Sequence, residues 1–181
     1  MTVTVFGWSE RVLTLREARV EDAALLVGAE RAVASKPGAL ASAPEELLEE
    51  AFRSTIERLT KTQEGKYLVA LREGQLVGHA VLMPMALAAT RHIVRLTIVV
   101  HPGHEGQGIG KRLLGSLIEW ARSAPRVRKI ELNVRATNTR AIGLYRSLGF
   151  EEQGRQLERI CIDEQTFIDD LEMGLFVKPR T

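Results

Sequence analysis

Cysteine is nearly absent from this sequence, and no long apolar run is present. The 181 residues contain one cysteine, Cys161, which leaves no partner for an internal disulfide or a multi-cysteine metal site. We expect its side chain to be a small buried apolar group in a reducing compartment. No segment approaches the roughly 18 consecutive apolar residues of a membrane span, and Met1 to Glu10 lacks the basic and apolar regions of a secretion signal. We therefore expect a cytoplasmic protein with no membrane partner.

A large surplus of either charge is also missing, which argues against a nucleic-acid partner. Lysine and arginine total 25 and aspartate and glutamate total 23, so nothing indicates the broad basic face that nucleic-acid binding needs. Apolar residues make up 45% of the chain, enough for a real core. The length is typical of one domain, so we expect a single unit over 1–181 with its core at about 12–177. No cluster of metal ligands is recognisable, and we expect no metal.

Residue periodicity predicts an alternation of strands and helices. Period-two alternation predicts strands and 3.6-residue spacing predicts amphipathic helices. The segment from Ser35 to Pro44, rich in turn-forming residues, predicts a surface loop that could act as a lid. The predicted order is strand 12–16, helix 23–33, helix 44–60, strands 67–71, 75–83 and 91–100, helix 110–123, strand 128–134, helix 139–148, and strands 154–162 and 166–177. This order predicts an α/β domain around a mixed sheet.

The most informative stretch is a glycine-rich turn between a strand and a helix. It reads VVHPGHEGQGIGK over residues 99–111. The glycines at 106, 108 and 110 have no Cβ, so a ligand can approach the backbone closely. The first turn of the following helix adds unpaired amides and the positive end of the helix dipole. Together these features predict a site for an anion such as a phosphate.

Two familiar phosphate-binding loops do not match this turn. A Walker A loop needs a glycine five residues before Gly110, where Glu105 stands. A dinucleotide fingerprint that begins at Gly106 needs its third glycine at the position of Lys111, and a start two residues later fails in the same way. A nucleotide-binding protein of either type is thereby excluded. A purely structural role of the glycines in a tight turn stays open.

Two blocks of the sequence resemble the GNAT family of N-acetyltransferases. The stretch from Val100 to Gly110 is similar to the family's central motif, in which Gln or Arg, two residues, Gly, one residue and Gly bind the pyrophosphate of acetyl-CoA. The segment from Asn133 to Phe150 is similar to the family's Asn-x-x-Asn-x-x-Ala-Ile-x-Leu-Tyr-x-x-x-Gly-Phe block, although the two asparagines here are five residues apart. The blocks stand in the family's order, and the predicted strands agree with its fold over about 12–177.

The resemblance implies a fold, a cofactor and roles for several residues. The fold is a single-domain α/β arrangement whose mixed, mostly antiparallel sheet is flanked by helices and splayed at its central strands. The backbone amide of Val100 would hold the thioester oxygen of acetyl-CoA, and Tyr145 would protonate the leaving thiolate of CoA. Packing on an amphipathic helix is the alternative for Tyr145, and Asn138 can be a helix cap, a CoA contact, or both. The implied cofactor-binding residues are Ile98, Val99, Val100, Gly106, Gln107, Gly108, Ile109, Gly110, Lys111, Asn138 and Tyr145.

One position departs from the family's motif. Glu105 stands where Gln or Arg is usual, and a carboxylate close to a pyrophosphate is electrostatically unfavourable. We expect Glu105 to point away and to leave the contact to the backbone amides of Gln107 to Lys111. Lys111 and Arg112 either offset the acid by pairing with phosphate oxygens or are ordinary solvated charges.

No side chain is an obvious general base. The attacking amine must lose a proton, and many members of the family pass that proton to water. His92 and Glu131, on the central strand and its neighbour, are the side-chain candidates. A structural role at the margin of the sheet is the alternative for both residues.

The acceptor site is the least readable part of the sequence. Segments 25–65 and 84–91 and the terminal hairpin should frame the mouth of the splayed sheet. The hairpin acids either attract a cationic amine or are simply solvated; they are Asp163, Glu164, Asp169 and Asp170. We expect an acetyl-CoA-dependent N-acetyltransferase that acts on the primary amine of a small molecule, an amino acid or a peptide N-terminus, with a homodimer as a further expectation. The alternative is a non-catalytic acyl-CoA-binding module used for sensing or assembly.

Overall fold

The computed structural model describes residues 13–179 and contains, in that range, seven strands and four α-helices. The elements are β1 (Leu13–Glu17), α1 (Ala23–Ala34), α2 (Glu49–Thr62), β2 (Lys66–Arg72), β3 (Gln75–Pro84), β4 (Ile93–Val100), α3 (Ile109–Ser123), β5 (Lys129–Arg135), α4 (Thr139–Ser147), β6 (Glu151–Asp163) and β7 (Thr166–Phe176). Their order and type confirm the predicted α/β domain. Val12 and the segment from Met1 to Glu10, for which no secretion signal is expected, lie outside the described residues.

The strands form one sheet in the order β1-β2-β3-β4-β5-β7-β6. Every pair of neighbours is antiparallel except β4 and β5. The expected mixed, mostly antiparallel sheet is therefore confirmed. The parallel pair lies at the centre, where α3 provides the crossover that such a pair requires.

The parallel pair is short, and this opens the sheet. β4 and β5 are paired over only three positions, from Ile93 with Lys129 to Arg95 with Glu131. Beyond that point β4 stays paired with β3 as far as Val100, while β5 stays paired with β7. The two central strands therefore diverge towards their carboxyl ends, which confirms the expected splay.

Two apolar layers hold helices against the two faces of the sheet. α3 and α4 pack on one face, where side chains such as Leu113 and Leu117 meet Leu82 and Ile130. α1 and α2 pack on the other face through Leu26, Ile56 and Leu59, over β2 and β3. On that second face, the halves of β4 and β5 beyond their last pair carry polar side chains, and a cleft opens there.

The second helix begins later than the periodicity predicts. A short 3-10 turn covers Pro44–Glu46, and the backbone is extended at Leu47 and Leu48 before α2 begins. The guanidinium of Arg31 donates to the carbonyl of Leu47 at 2.7 and 3.0 Å. This contact with α1 holds the segment in the extended form.

Two further expectations concern the single cysteine and membrane-spanning segments. Cys161 is exposed on β6, so the expectation of a buried thiol is wrong; its thiol donates to the carbonyl of Asp163 at 3.2 Å. Within residues 13–179, no helix combines the length and apolar character needed to cross a membrane.

Replacing Leu117 by alanine should destabilise the protein strongly. Leu117 is fully buried on the inner face of α3, and truncating such a side chain costs about 2–5 kcal/mol of unfolding free energy. Urea unfolding followed by circular dichroism measures this difference. Leu87→Ala is the control, because Leu87 is 73% exposed and its truncation should change stability little. Equal effects of the two substitutions would contradict the assigned core.

Candidate active site

The end of β4 presents unpaired backbone groups to the gap in the sheet. The amide of His101 donates to the carbonyl of Val77 on β3 at 3.0 Å. Successive residues of a strand direct their backbone groups to opposite sides, so the amides and carbonyls of Ile98 and Val100 point away from β3 and towards β5. β5 has already separated from β4 at this level. The gap is therefore lined by backbone donors and acceptors that an inserted extended ligand can pair with.

The glycine-rich turn ends at the start of α3. We refer to the backbone amides from Gln107 to Lys111 as the amide run. Gly106 and Gly108 have φ values of +83° and +77°, which other residues adopt only with strain. Gly108 is the N-cap of α3, and the first helical amides, from Ile109 onwards, have no carbonyl partner within the helix. A Cβ added at Gly108 would contact nothing within 4 Å. The space beside Gly108 is thus open to a ligand, as an anion site at the start of α3 requires.

The carboxylate of Glu105 is bonded within the turn itself. It accepts a hydrogen bond from the amide of Gly103 at 2.9 Å. Bonds from its own amide and from that of Gly103, with the nearby charges of Lys36 and Arg140, hold the pKa of Glu105 below its ordinary value. The position agrees with the expectation that the acid turns away from the amides at the start of α3.

Helix α4 packs against the same corner and carries Tyr145 with it. Leu144 lies 3.4 Å from the Cβ position of Gly110, and Val100 lies 3.7 Å from it. The structure therefore brings the start of α3, the end of β4 and α4 together, as the two sequence blocks predicted. Asn138 caps α4 by accepting from the amide of Ala141 at 3.0 Å, which confirms its role as a helix cap.

Tyr145 has a buried ring and an open hydroxyl. The ring packs beside Phe150, with centroids 5.7 Å apart, and burial raises the pKa of Tyr145 to about 12. Among the described residues the hydroxyl forms no hydrogen bond, and it is not one of the sealed, unpaired polar atoms. The hydroxyl is thus protonated at neutral pH and faces accessible space.

Two arginines at the turn were missed by the sequence analysis. The guanidinium of Arg140, in the first turn of α4, lies 2.7 Å from the Cβ position of Gly106. Arg72 at the end of β2 donates to the side chain of Gln107. Both place positive charge beside the amide run, where an anion would bind. A basic residue two positions after the cap Asn138 was the available signal for Arg140.

The two candidate bases lie at different distances from this corner. His92 precedes β4 at the end where β4 and β5 are still paired, and eight residues of strand span about 26 Å. The structure does not bring His92 near Val100. Glu131 is paired with Arg95, five strand residues or about 16 Å from the level of Val100, and its carboxylate accepts from Lys129 at 2.6 Å.

A cleft of about 490 Å³ opens on the second face of the sheet, beside the gap. Leu96 and Thr97 of β4 and Asn133 of β5 border it, each just beyond the last β4–β5 pair. Ala41, from the loop after α1, and residues of the β6–β7 hairpin complete the wall. Loop 84–91, which was also expected to frame the mouth, instead leads into the opposite end of β4.

A chain of buried polar side chains secures the strand ends below the turn. His101 Nδ1 lies 2.9 Å from the carbonyl of Leu76, and its Nε2 lies 3.0 Å from Nδ1 of His79. Because a carbonyl only accepts, His101 donates at Nδ1 and, when neutral, accepts at Nε2 from His79. His79 Nε2 is in turn hydrogen-bonded to Oε1 of Glu30 on α1, at 2.8 Å. The chain ties α1 to the residue that follows Val100.

Comparison with known proteins identifies the family. The family model described as "Acetyltransferase (GNAT) family" matches residues 35–150, which is most of the chain. The chain belongs to the GNAT family. A ribosomal-protein-alanine N-acetyltransferase from Brucella melitensis is 30% identical, with a TM-score of 0.80 over 90% of this chain and 99% of that one.

Two further similar proteins are acetyltransferases by name. A GNAT superfamily phosphinothricin acetyltransferase from Sinorhizobium meliloti, solved in complex with AcCoA, is 26% identical, with a TM-score of 0.79 over 91% of this chain and 88% of that one. The L-amino acid N-acetyltransferase AaaT of Escherichia coli strain K12 is 33% identical over 98 residues, 54% of this chain and 60% of that protein. The chain spans 23% to 60% of the length of the first curated relatives that it matches.

Replacing Gly108 by valine should abolish binding of CoA. A valine side chain would occupy the space in front of the amide run. Gly103→Val is the matched control, because Gly103 has a similar φ of +84° and equally open space around its Cβ position, but its amide is bonded to Glu105. Isothermal titration calorimetry with CoA should detect binding to the control and none to the Gly108 variant. Wild-type affinity for CoA in the Gly108 variant would contradict the proposed binding of CoA at the amide run.

The stability of this GNAT domain should fall as the pH drops below about 6.5, in part through His101. Burial, and then the nearby His79, lower the pKa of His101 from 6.5 to about 4. Between these values the unfolded chain binds a proton that the folded protein excludes, so acid favours unfolding. Urea unfolding at pH 7.5 and pH 5 measures the loss.

The His101→Gln variant isolates this contribution from that of the carboxylates. It should lose less stability than the wild type between the two pH values. His104→Gln, at a less buried position in the same turn, should keep the wild-type difference. Equal pH dependence in all three proteins would show that His101 does not contribute.

Proposed function

We propose that this protein is an acetyl-CoA-dependent N-acetyltransferase that transfers an acetyl group to a primary amine by direct attack. The observation that carries the proposal is the gap between β4 and β5, lined by free backbone groups and closed at one end by the amide run of α3. An extended pantetheine arm suits such a gap because its amides can pair with β4 as an added strand would. Its diphosphate suits the amides at the start of α3.

The relatives support the same activity. The phosphinothricin acetyltransferase was solved with AcCoA, and the others act, by their names, on ribosomal-protein alanine or on L-amino acids. We extend to this chain the shared element, a primary amine of a small molecule, an amino acid or a peptide N-terminus. The cytoplasmic location and the homodimer stay predictions.

Three roles follow for the residues of the site. Acetyl-CoA supplies the thioester whose C–S bond breaks as the new C–N bond forms. The amide of Val100 donates to the carbonyl oxygen, on which negative charge develops. Tyr145 gives its proton to the thiolate, since its raised pKa keeps the hydroxyl protonated at neutral pH. Glu131 is the proposed acceptor of the amine proton, through water.

The alternative is a binding module without catalysis. Its support is that the sequence offers no obvious general base and carries Glu105 in the motif. The bonding of Glu105 within the turn weakens the second point, because it leaves the amide run free. A thermal-shift panel with CoA, ATP and NAD, followed by thiol release with an amine library, tests both readings. Stabilisation by CoA with no thiol release from any amine would favour the binding module.

Tyr145→Phe should lower the rate of acetyl transfer by roughly 10²–10⁴-fold, the usual contribution of a positioned proton donor. The substitution keeps the ring that packs on Phe150, so the fold and the affinity for CoA should change little. Single-turnover acetyl transfer at saturating acetyl-CoA is the measurement. Tyr67→Phe is the control, because Tyr67 is an equally buried tyrosine in the other apolar layer. An unchanged rate in Tyr145→Phe would assign this residue to packing alone.

A further inference from the structure

The cleft on the second face of the sheet carries a surplus of positive charge. Three arginines and one aspartate line it: Arg95, Arg135, Arg159 and Asp170. Its remaining lining residues are uncharged. The cleft beside the gap therefore has two more positive than negative charges.

One of these arginines, Arg135, is paired with an acid of the protein itself. Arg135 donates to both carboxylate oxygens of Asp170, at 2.6 and 2.8 Å, and both side chains are largely buried. Its Nε also donates to the carbonyl of Gly38 at 3.0 Å. This network fastens the loop after α1 to the sheet and neutralises the only acid in the lining.

The other two arginines have no partner of their own. Among the residues 13–179, neither the Arg95 guanidinium nor the Arg159 guanidinium forms a hydrogen bond or an ion pair. They come from strands β4 and β6, which are not neighbours in the sheet. Two guanidinium groups without a protein partner thus line one cleft from separate strands, and the planar guanidinium pairs well with planar anions such as a carboxylate.

A bulge in β6 places Arg159 at the cleft. Between the pairs of Gln156 with Asp170 and Ile160 with Ile168, three residues of β6 lie opposite one residue of β7. Glu158 has a φ of +49° there, and its amide donates to Asp169 at 2.8 Å. Such bulges redirect side chains and are frequent next to active sites.

Three of the four hairpin acids are already bonded to neighbouring groups, and the fourth, Glu164, is exposed in the turn. Asp169 accepts from Arg155 and from the bulge, Asp170 is paired with Arg135, and Asp163 accepts from the amide of Gln165 in the turn. The amide of Glu158, followed by Arg155, lowers the pKa of Asp169. These bonds favour a structural role for Asp163, Asp169 and Asp170.

We propose that the acceptor is an amine that also bears a carboxylate, as a free amino acid does, and that Arg95 and Arg159 bind this carboxylate. The inference rests on the proposed N-acetyltransferase function and narrows its substrate class. It selects against polyamines, whose additional positive charges would be repelled by the cleft. It also selects against peptides without a carboxylate near the terminal amine.

The first test compares matched acceptors. The twenty L-amino acids, their carboxamides, spermidine, and a peptide amide with an N-terminal glutamate are assayed by thiol release from acetyl-CoA. The best free amino acid should exceed its carboxamide by roughly 10- to 100-fold in kcat/KM, the loss expected for hydrogen bonds to a charged group. A faster reaction with the peptide amide would instead assign the bound carboxylate to an N-terminal acidic side chain. Equal or faster reaction of the carboxamide or spermidine would overturn the proposal.

The second test locates the carboxylate. Arg159→Gln and Arg95→Gln should each raise KM for the amino acid by about tenfold or more while changing kcat and the KM for its carboxamide little. Arg122→Gln is the control, because Arg122 is exposed on α3 outside the cleft. A rise in KM for both acceptors alike would show a structural role and refute the assignment.

A binding measurement keeps the two proposals separate. N-acetyl-L-amino acids and their carboxamides are titrated into the CoA complex, and the thermal midpoint is recorded. Without thiol release from any amine the proposed catalysis fails, yet stabilisation by the acids alone would still support the carboxylate site. Equal stabilisation by both product classes, or by neither, would reject that site.

Discussion

The site depends on the point at which β4 and β5 stop pairing. Three pairs hold these strands together, and beyond Arg95 each strand follows its other neighbour. Unpaired backbone groups inside a sheet are costly unless water or a ligand satisfies them. The separation of β4 and β5 therefore leaves backbone donors and acceptors on β4 that a ligand can satisfy. The start of α3 and the cleft both lie beside this gap.

Local sequence patterns were sufficient for most of the fold and for the cofactor corner. α3 was predictable because Leu113, Leu117 and their neighbours recur at helical spacing, and the amide cradle because its glycines are close together in the chain. The distance of His92 from Val100 could also have been predicted, because the ends of an eight-residue strand lie about 26 Å apart. Sequence reasoning placed His92 and Val100 on one strand without using that length.

Features that depend on distant partners were beyond such reasoning. The late start of α2 rests on a bond between Arg31 and Leu47, and the chain from Glu30 through His79 to His101 joins residues from three separate elements. The bulge that places Arg159 has no periodic signal, because it consists of a local break in register. A single sequence gives the composition of the hairpin acids but not their pairing.

The residues proposed to bind the cofactor and the arginine placed by the β6 bulge lie in different parts of the chain. The proposed cofactor residues lie in two compact segments, 98–111 and 138–145, whereas Arg159 belongs to the outermost strand, which has one neighbour in the sheet. An edge strand can accept insertions and register changes without disturbing the central strands. Under the proposed roles, exchange of this hairpin between related domains would change the amine that is accepted and leave the acyl donor unchanged.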